Sequence, residues 1–348
     1  MRFSNTKLTA LALAAALPVG AQAADNITVY GKARMSVDMT DNGTDNLTNV
    51  SSNASRLGFK GVEDLGNGLK ALFQYETLVS LDGQESTLFA SARNSYVGLA
   101  SGLGTLVLGV TDNPYKLATG KLDNYGDSMG DFNAIIGNVS GASTPFNERE
   151  PNSINYWSPK MSGLQFMAAY RPDEDGTVTR DRYSLSATYE SGPLFGSVAY
   201  EMHNNDNASG ASGNDTDGLT FGLSYLFNEG KTKLGVVYES LSEDNIASVF
   251  DRDAWYAALS HKMGNNTFKI AYARADDNDK ADSTGADWYV LGIDHSLSKR
   301  TTLYALYART NNDSGAQYGL GTGGSSGAVK PHTGSDPSTF SIGINHDF

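Results

Sequence analysis

The feature that most constrains this 348-residue chain is the way its connections sort by length. Short turns rich in Gly, Asn, Ser and Lys fall at 64–68, 101–104, 158–163, 191–193, 228–231, 263–266 and 298–301. Between them lie long polar connections at 39–54, 78–90, 112–150, 172–181, 202–217, 240–253, 275–286 and 310–338. The two kinds alternate strictly, so seven short turns and eight long connections imply sixteen strands, with both termini on the short-turn side. A soluble sandwich has no reason to send short and long loops to opposite ends. A barrel crossing a membrane does, because its two rims face different compartments.

The segments between connections alternate with period two, the signature of a strand with one apolar face. Leu69, Ala71, Phe73 and Tyr75 share one face; Leu164, Phe166, Ala168 and Tyr170 share another. The pattern recurs through Leu219, Phe221, Leu223, Tyr225 and Phe227, then Leu234, Val236 and Tyr238, then Phe268, Ile270 and Tyr272, and at the end Phe340, Ile342 and Ile344. Many of these runs end in Tyr or Phe, where an amphipathic ring suits a membrane interface. Around 104–110, 254–261 and 302–309 both parities carry apolar residues, and the facing is left open.

Residues 1–23 (MRFSNTKLTALALAAALPVGAQA) read as a secretory signal peptide: Arg2 and Lys7, an apolar stretch too short to span a bilayer, and a small-residue Ala-Gln-Ala site. The expected mature domain is 24–348, which is 348 − 23 = 325 residues with charge 24 − 39 = −15, against −13 for the whole chain. Nothing after the leader approaches an 18-residue apolar run, so the membrane must be crossed by strands if it is crossed at all. In hydrocarbon every backbone N–H and C=O needs a partner, so strands can cross only as a closed barrel. At sixteen strands the interior is too wide to fill with side chains and becomes an aqueous channel, which reconciles a mean hydropathy of −0.35 with a membrane protein.

Other chemistries are poorly served. The acidic balance offers no basic excess for nucleic acid. There is no cysteine for disulfides, thiol catalysis or Cys-rich zinc sites. HExxH does not occur, and the two GxSxG matches, Gly126 to Gly130 in the long 112–150 connection and Gly323 to Gly327 in a glycine-rich run, have no strand-then-helix context, so catalytic residues, a metal site and cofactors are all expected to be absent. His295 and His346 on strands are the nominal candidates for a barrel enzyme. The acidic run 276–282 lacks the glycine and distal glutamate of a calcium loop and reads as a solvated outer loop, and 319–327 reads as a flexible one.

Several stretches carry a family resemblance. Ser55 to Gly61 (SRLGFKG) with Glu63 to Ala71 (EDLGNGLKA), Arg93 to Leu99 (RNSYVGL), Gly104 to Gly109 (GTLVLG), Asn152 to Pro159 (NSINYWSP), Leu297 to Tyr304 (LSKRTTLY) and the terminal Phe348 together resemble the general trimeric porins of Gram-negative bacteria. The resemblance spans the mature chain from Tyr30-Gly31-Lys32 to Phe348. It implies an all-β, sixteen-stranded antiparallel transmembrane barrel in the outer membrane, assembled as a homotrimer among lipid and lipopolysaccharide, through which small hydrophilic solutes and ions diffuse passively. In such porins the third long loop folds into the pore and sets acidic groups against an arginine cluster on the wall.

Here that loop is 112–150, and its acidic candidates are Asp123, Asp127 and Asp131, with Glu148 and Glu150 nearby. For the wall, parity turns Lys32, Arg34, Arg56 and Lys60 toward the lumen, because an arginine facing mid-depth lipid costs ~2–4 kcal/mol. Motif matching adds Arg93 and, as a third eyelet arginine, Arg149. Val110 stands where the family pattern carries an arginine. The net charge favours a weak cation preference, and the wall arginines oppose it. The alternatives are a substrate-selective channel, for example for oligosaccharides, and a barrel serving as an adhesin or enzyme.

Overall fold

The computed structural model describes residues 26–84, 87–139, 146–174, 180–205, 214–244, 251–321 and 331–348. The leader expected over 1–23 and most of the glycine-rich run 319–327 lie outside the described residues. Eighteen strand segments, all paired antiparallel, form one sheet that closes on itself: β1 (Asn26–Asp41) pairs with β18 (Ser338–Asp347), and β9 (Leu164–Arg171) pairs with β10 (Arg182–Ser191). Two crossings are each split in the middle. β2 (Asn46–Ser52) and β3 (Arg56–Gly66) both pair with β1, while β5 (Phe89–Ala92) and β6 (Ser95–Ser101) both pair with β4 (Leu69–Val79). Eighteen segments therefore make sixteen staves, the number that the connection pattern predicts.

The seam is sealed at the chain's end. Gly31 and Phe348 exchange backbone hydrogen bonds of 3.0 Å in both directions. A Cβ at Gly31 would stand 2.3 Å from the Phe348 ring, so the seam needs glycine there. The outward face is a continuous apolar belt, including Val37, Phe59, Val97, Leu108, Leu223, Leu234, Ile270 and Ile342, all exposed in the isolated chain. In a bilayer that surface meets lipid.

The first connection differs from its expected span of 39–54. Strand continues to Asp41 and resumes at Asn46, leaving a four-residue turn closed by hydrogen bonds from Gly43 N–H to Asp41 Oδ1 (2.8 Å) and from Thr44 and Asp45 N–H to Asn42 Oδ1 (2.9 and 2.7 Å). Polar residues read as loop there because this hairpin carries few of the apolar side chains that mark a lipid-facing strand.

The three stretches of open parity resolve. Leu106 and Leu108, Trp255 and Leu259, and Leu303 and Tyr307 point outward, while Val107, Ala254, Tyr256, Ala258, Tyr304, Leu306 and Ala308 are buried on the inner side. At 254–261 and 302–309 the inner wall is apolar because residues of the 113–139 segment pack on it: Leu122, Tyr125, Met129, Phe132, Ile135 and Ile136 share one buried cluster with Tyr256, Trp288, Val290 and Leu306. Fully buried side chains of this kind contribute about 1.5–3 kcal/mol each.

The facing predicts a sharp contrast. Leu223→Arg, on the lipid side near the middle of β12 (Thr216–Phe227), is expected to lower unfolding free energy in vesicles by about 2–4 kcal/mol, and Thr28→Arg on the wet inner face by less than about 1 kcal/mol. Denaturant titration of both variants in lipid checks it, and equal losses would refute the assigned facing.

Candidate constriction site

The interruptions of the barrel wall gather at one level. Between β2 and β3 the chain passes through Ala54 at φ +51°, and the Ser55 hydroxyl takes over pairing with Arg34, accepting its N–H at 2.9 Å and donating to its carbonyl at 3.0 Å. Between β5 and β6 the Ser95 hydroxyl does the same for Glu76, and Arg93 N–H donates to the Glu76 carbonyl at 2.8 Å. A third irregularity lies between β7 (Gly104–Asp112) and β8 (Arg149–Trp157), where the register shifts between Gly109 and Thr111. Breaks of this kind re-aim side chains. Here they bracket Arg34, Arg56, Arg93 and Arg149.

Those four arginines line one cavity with Asp123, Asp127 and Asp131. Arg56 Nη2 and Arg34 Nη1 both reach Asp127 Oδ2, at 2.7 and 3.1 Å, and Arg34 also donates to the Gly126 carbonyl at 3.1 Å. Asp127 sits at φ +59°, a left-handed conformation that Asp tolerates better than most residues. Burial alone would raise its carboxyl, but Arg56 and Arg34 outweigh it and hold the group below the ordinary carboxylate range. The stabilisation from this contact is therefore complete above the unfolded value near 3.9 and is lost as pH falls through the depressed value.

The other two aspartates act within the loop. Asp123 accepts Tyr125 N–H at 2.8 Å, and Asp131 accepts Asn133 and Asp127 N–H at 2.9 and 3.0 Å, so they fold the segment that presents Asp127. Burial raises both carboxyl groups, Asp123 also through its neighbour Asp131. Lys32 does not line this cavity; its nearest acid is Asp347 at 3.9 Å. Glu148 and Glu150 turn to the far wall, where Arg182 meets them at 3.3 and 2.8 Å.

The division into basic wall and acidic loop is incomplete. On the wall, Glu76 accepts Arg93 Nε at 2.7 Å and the Tyr30 hydroxyl at 2.9 Å, and Asp112 holds Arg149 at 2.8 Å. On the loop, Lys116 of α1 (Pro114–Thr119) approaches Asp112 at 3.7 Å. The sequence reading passed over these groups. Glu76 had a signal in parity, since it sits one residue from outward-facing Tyr75.

A buried ion pair anchors the loop. Glu239 of β13 (Thr232–Glu243) and Arg252 of β14 (Arg252–Met263) meet at 2.9 Å with both side chains fully buried. The Glu239 carboxylate also accepts the Tyr115 hydroxyl at 2.9 Å and Gly137 N–H at 2.8 Å, and Arg252 donates to the carbonyls of Ile135 (2.9 Å) and Asn138 (3.1 Å from Nε). One pair therefore holds two distant points of the segment. A second anchor starts the loop: Asn113 donates to Glu201 at 2.6 Å, and His203 contacts the other Glu201 oxygen at 2.7 Å under the stacked Phe146 ring. Glu150, Glu201 and His203 bring donor atoms within 4.8 Å of one another, but each carboxylate oxygen is already engaged by Arg182, Arg171, His203 or Asn113.

Arg252→Leu is expected to destabilise the protein by about 3–5 kcal/mol, because it leaves the Glu239 charge buried and unpaired. It should also free the segment, adding fluctuations to the ionic current through a single barrel. Bilayer recordings beside denaturant titration test both, and a quiet channel of unchanged stability would refute the anchor.

Comparison with known proteins bears on this arrangement. The family model described as Gram-negative porin matches residues 8–316. Outer membrane porin protein 32 of Delftia acidovorans is 30% identical over 98% of this chain and 99% of its own length. Among solved structures, the anion-selective porin from Comamonas acidovorans superposes with a TM-score of 0.83 at 27% identity, covering 93% of this chain and 99% of that one. The trimer form of OmpT from Vibrio cholerae covers 93% and 99% with a TM-score of 0.68, and at 17% identity it shows the shared fold alone.

Proposed function

The chain belongs to the Gram-negative porin family, and from that premise we propose how its barrel selects what passes. It is an outer-membrane porin, a passive diffusion channel with no reaction to catalyse. In our reading the 113–139 segment narrows the lumen, and the eyelet is the gap edged by Arg34, Arg56, Arg93 and Arg149 on the wall and by Asp127 and Lys116 on the loop. Residues 1–23 are the export leader. The working unit is a homotrimer set among lipid and lipopolysaccharide, a reading supported by the trimer form of the Vibrio cholerae protein.

The observation that carries the selectivity is the charge lining the narrow cavity. Four arginines and Lys116 face Asp112, Asp123, Asp127 and Asp131, with Glu76 set against Arg93, and burial raises the carboxyl groups of Asp123 and Asp131, which favours their neutral forms. A passing ion feels charges within about 8–10 Å far more than the −15 spread over the mature chain. The local balance is basic, so the channel prefers small anions, in place of the weak cation preference that total charge suggests. The 27%-identical Comamonas acidovorans porin, described as anion-selective, supports the same reading.

Reversal potentials across a KCl gradient test it. The wild type is expected to favour chloride, Asp127→Asn to favour it more, and Arg34→Gln/Arg56→Gln to move toward potassium. A cation-selective wild type would overturn the proposal. Because the two guanidinium groups hold Asp127 ionised, the difference between wild type and Asp127→Asn should persist as pH falls to about 4 and close only below it. A difference already gone at pH 5 would contradict the arginine clamp.

A further inference from the structure

Below the constriction, toward the short turns, the inner wall holds a second cavity that the eyelet does not use. Its construction follows from the register. Lys60, Gln74 and Tyr96 lie side by side across three staves, and four residues nearer the rim lie Lys70, Ala100, Thr105 and Trp157 across four. Between these rows the wall is Leu72, Gly98 and Val107. Val62, Leu72 and Thr105 line the cavity between and beside these rows. A Cβ on Gly98 would come within 2.3 Å of the Leu106 carbonyl and 2.6 Å of the buried Val107 side chain, so glycine there lets Val107 pack beneath the aromatic pair.

Two features set this wall apart. Tyr96 and Trp157 form an edge-to-face pair, centroids 5.6 Å apart at 85°, and the Trp157 indole N–H, though buried, has no hydrogen-bond partner among the described residues. Lys60 and Lys70 have no ion-pair partner among the described residues, whereas every arginine of the eyelet has one. Lys60 rests over the Tyr30 ring at 5.2 Å from its centroid. Asp64, the cavity's own acid, is turned back to its hairpin, accepting Gly66 N–H at 2.8 Å.

We propose that this cavity is a subsite for small aromatic carboxylates, with the ring lying over Leu72 against Tyr96 and Trp157 and the carboxylate drawn to Lys60 or Lys70. Lys60 and Tyr96 sit two staves apart, about 10 Å between backbones, which spans a benzoate-sized anion once the lysine reaches inward. Contact of the solute ring with Tyr96 and Trp157 favours such a solute over an aliphatic one of equal charge, while the unpaired lysines draw either anion into the cavity. The site rests on the porin reading, and it retards passage of these solutes rather than excluding them.

Benzoate and acetate at equal concentrations, added to single channels conducting KCl, test the subsite. Benzoate is expected to interrupt the current with saturating dependence on concentration, and acetate only to alter it in proportion to its mobility. Lys60→Gln/Lys70→Gln should raise the half-blocking benzoate concentration about tenfold, the loss of one charge-assisted contact. Trp157→Phe, which keeps an aromatic ring, should raise it less than Trp157→Leu. Thermal unfolding followed by circular dichroism identifies any variant that fails to fold, and the double lysine change, at exposed positions, stands independently of the tryptophan variants. A conducting wild type that treats benzoate and acetate alike, or a block unchanged in the lysine variant, would overturn the subsite while leaving the porin reading intact. A wild type that conducts no KCl would overturn the porin reading itself.

Discussion

A peptide group surrounded by hydrocarbon has no water to bond with, and each unsatisfied one costs several kcal/mol. Everything else in this protein follows from how that demand is met. The first strand is closed against the last, and the final residue is drawn into the seam by its exchange of hydrogen bonds with Gly31. Once closed, the sheet has no edge to protect, and its outer face can be as apolar as lipid requires. Its inner face is then free of that requirement. Polar and charged residues accumulate there because water can reach them.

A wet interior is a poor place to fix a long loop, since an exposed ion pair contributes little against solvent and salt. The structure resolves this by making part of the lumen dry. Leu122, Met129, Ile135 and Ile136 cover an apolar stretch of the wall, and the Glu239–Arg252 pair, fully buried, is shielded enough to hold Tyr115, Gly137 and the carbonyls of Ile135 and Asn138. A buried pair of this kind is weak evidence of net stability, but breaking it leaves a stranded charge, so it specifies position. The Arg34–Asp127–Arg56 contact on the opposite side is then placed by a scaffold that is rigid before any ion arrives.

The same division explains what was legible beforehand. Lipid-facing residues announced themselves, because hydrocarbon accepts only apolar side chains at Phe59, Leu223 or Ile270 and period two follows. Stave number followed from the connections. Where Ala254, Tyr256, Ala258, Leu306 and Ala308 face a packed loop instead of water, the alternation vanished, and parity was unreadable for a sound physical reason: both faces there are apolar. Partners were harder. Arg34, Arg56, Arg93 and Arg149 could be turned inward by the cost of facing lipid, yet nothing local distinguishes Asp127, which meets two guanidinium groups, from Asp123 and Asp131, which cap backbone turns four residues away on either side. That distinction depends on the left-handed turn at Asp127 and on a wall about ninety residues distant. Glu239 and Arg252 were invisible for a related reason: they compensate each other, and the groups they hold, the Tyr115 hydroxyl, Gly137 N–H and the Ile135 and Asn138 carbonyls, belong to a segment far away in sequence.

Charge shows most clearly why a total misleads. A chain with a mature charge of −15 invites the expectation of a cation channel, but a charge in salt solution acts over only about 8–10 Å, so the total counts for less than the groups beside the ion's path. At the constriction the protein places guanidinium groups at wall breaks, where backbone pairing passes to the hydroxyls of Ser55 and Ser95, and of the aspartates opposite them it buries Asp123 and Asp131, which raises both carboxyl groups. Acidic residues elsewhere keep the exposed loops hydrated, while the selective step depends on a handful of side chains held within a few ångströms. Under the proposed anion preference, the sign that a permeating ion meets is set by the guanidinium groups at the two wall breaks and by the burial that disfavours charge on Asp123 and Asp131.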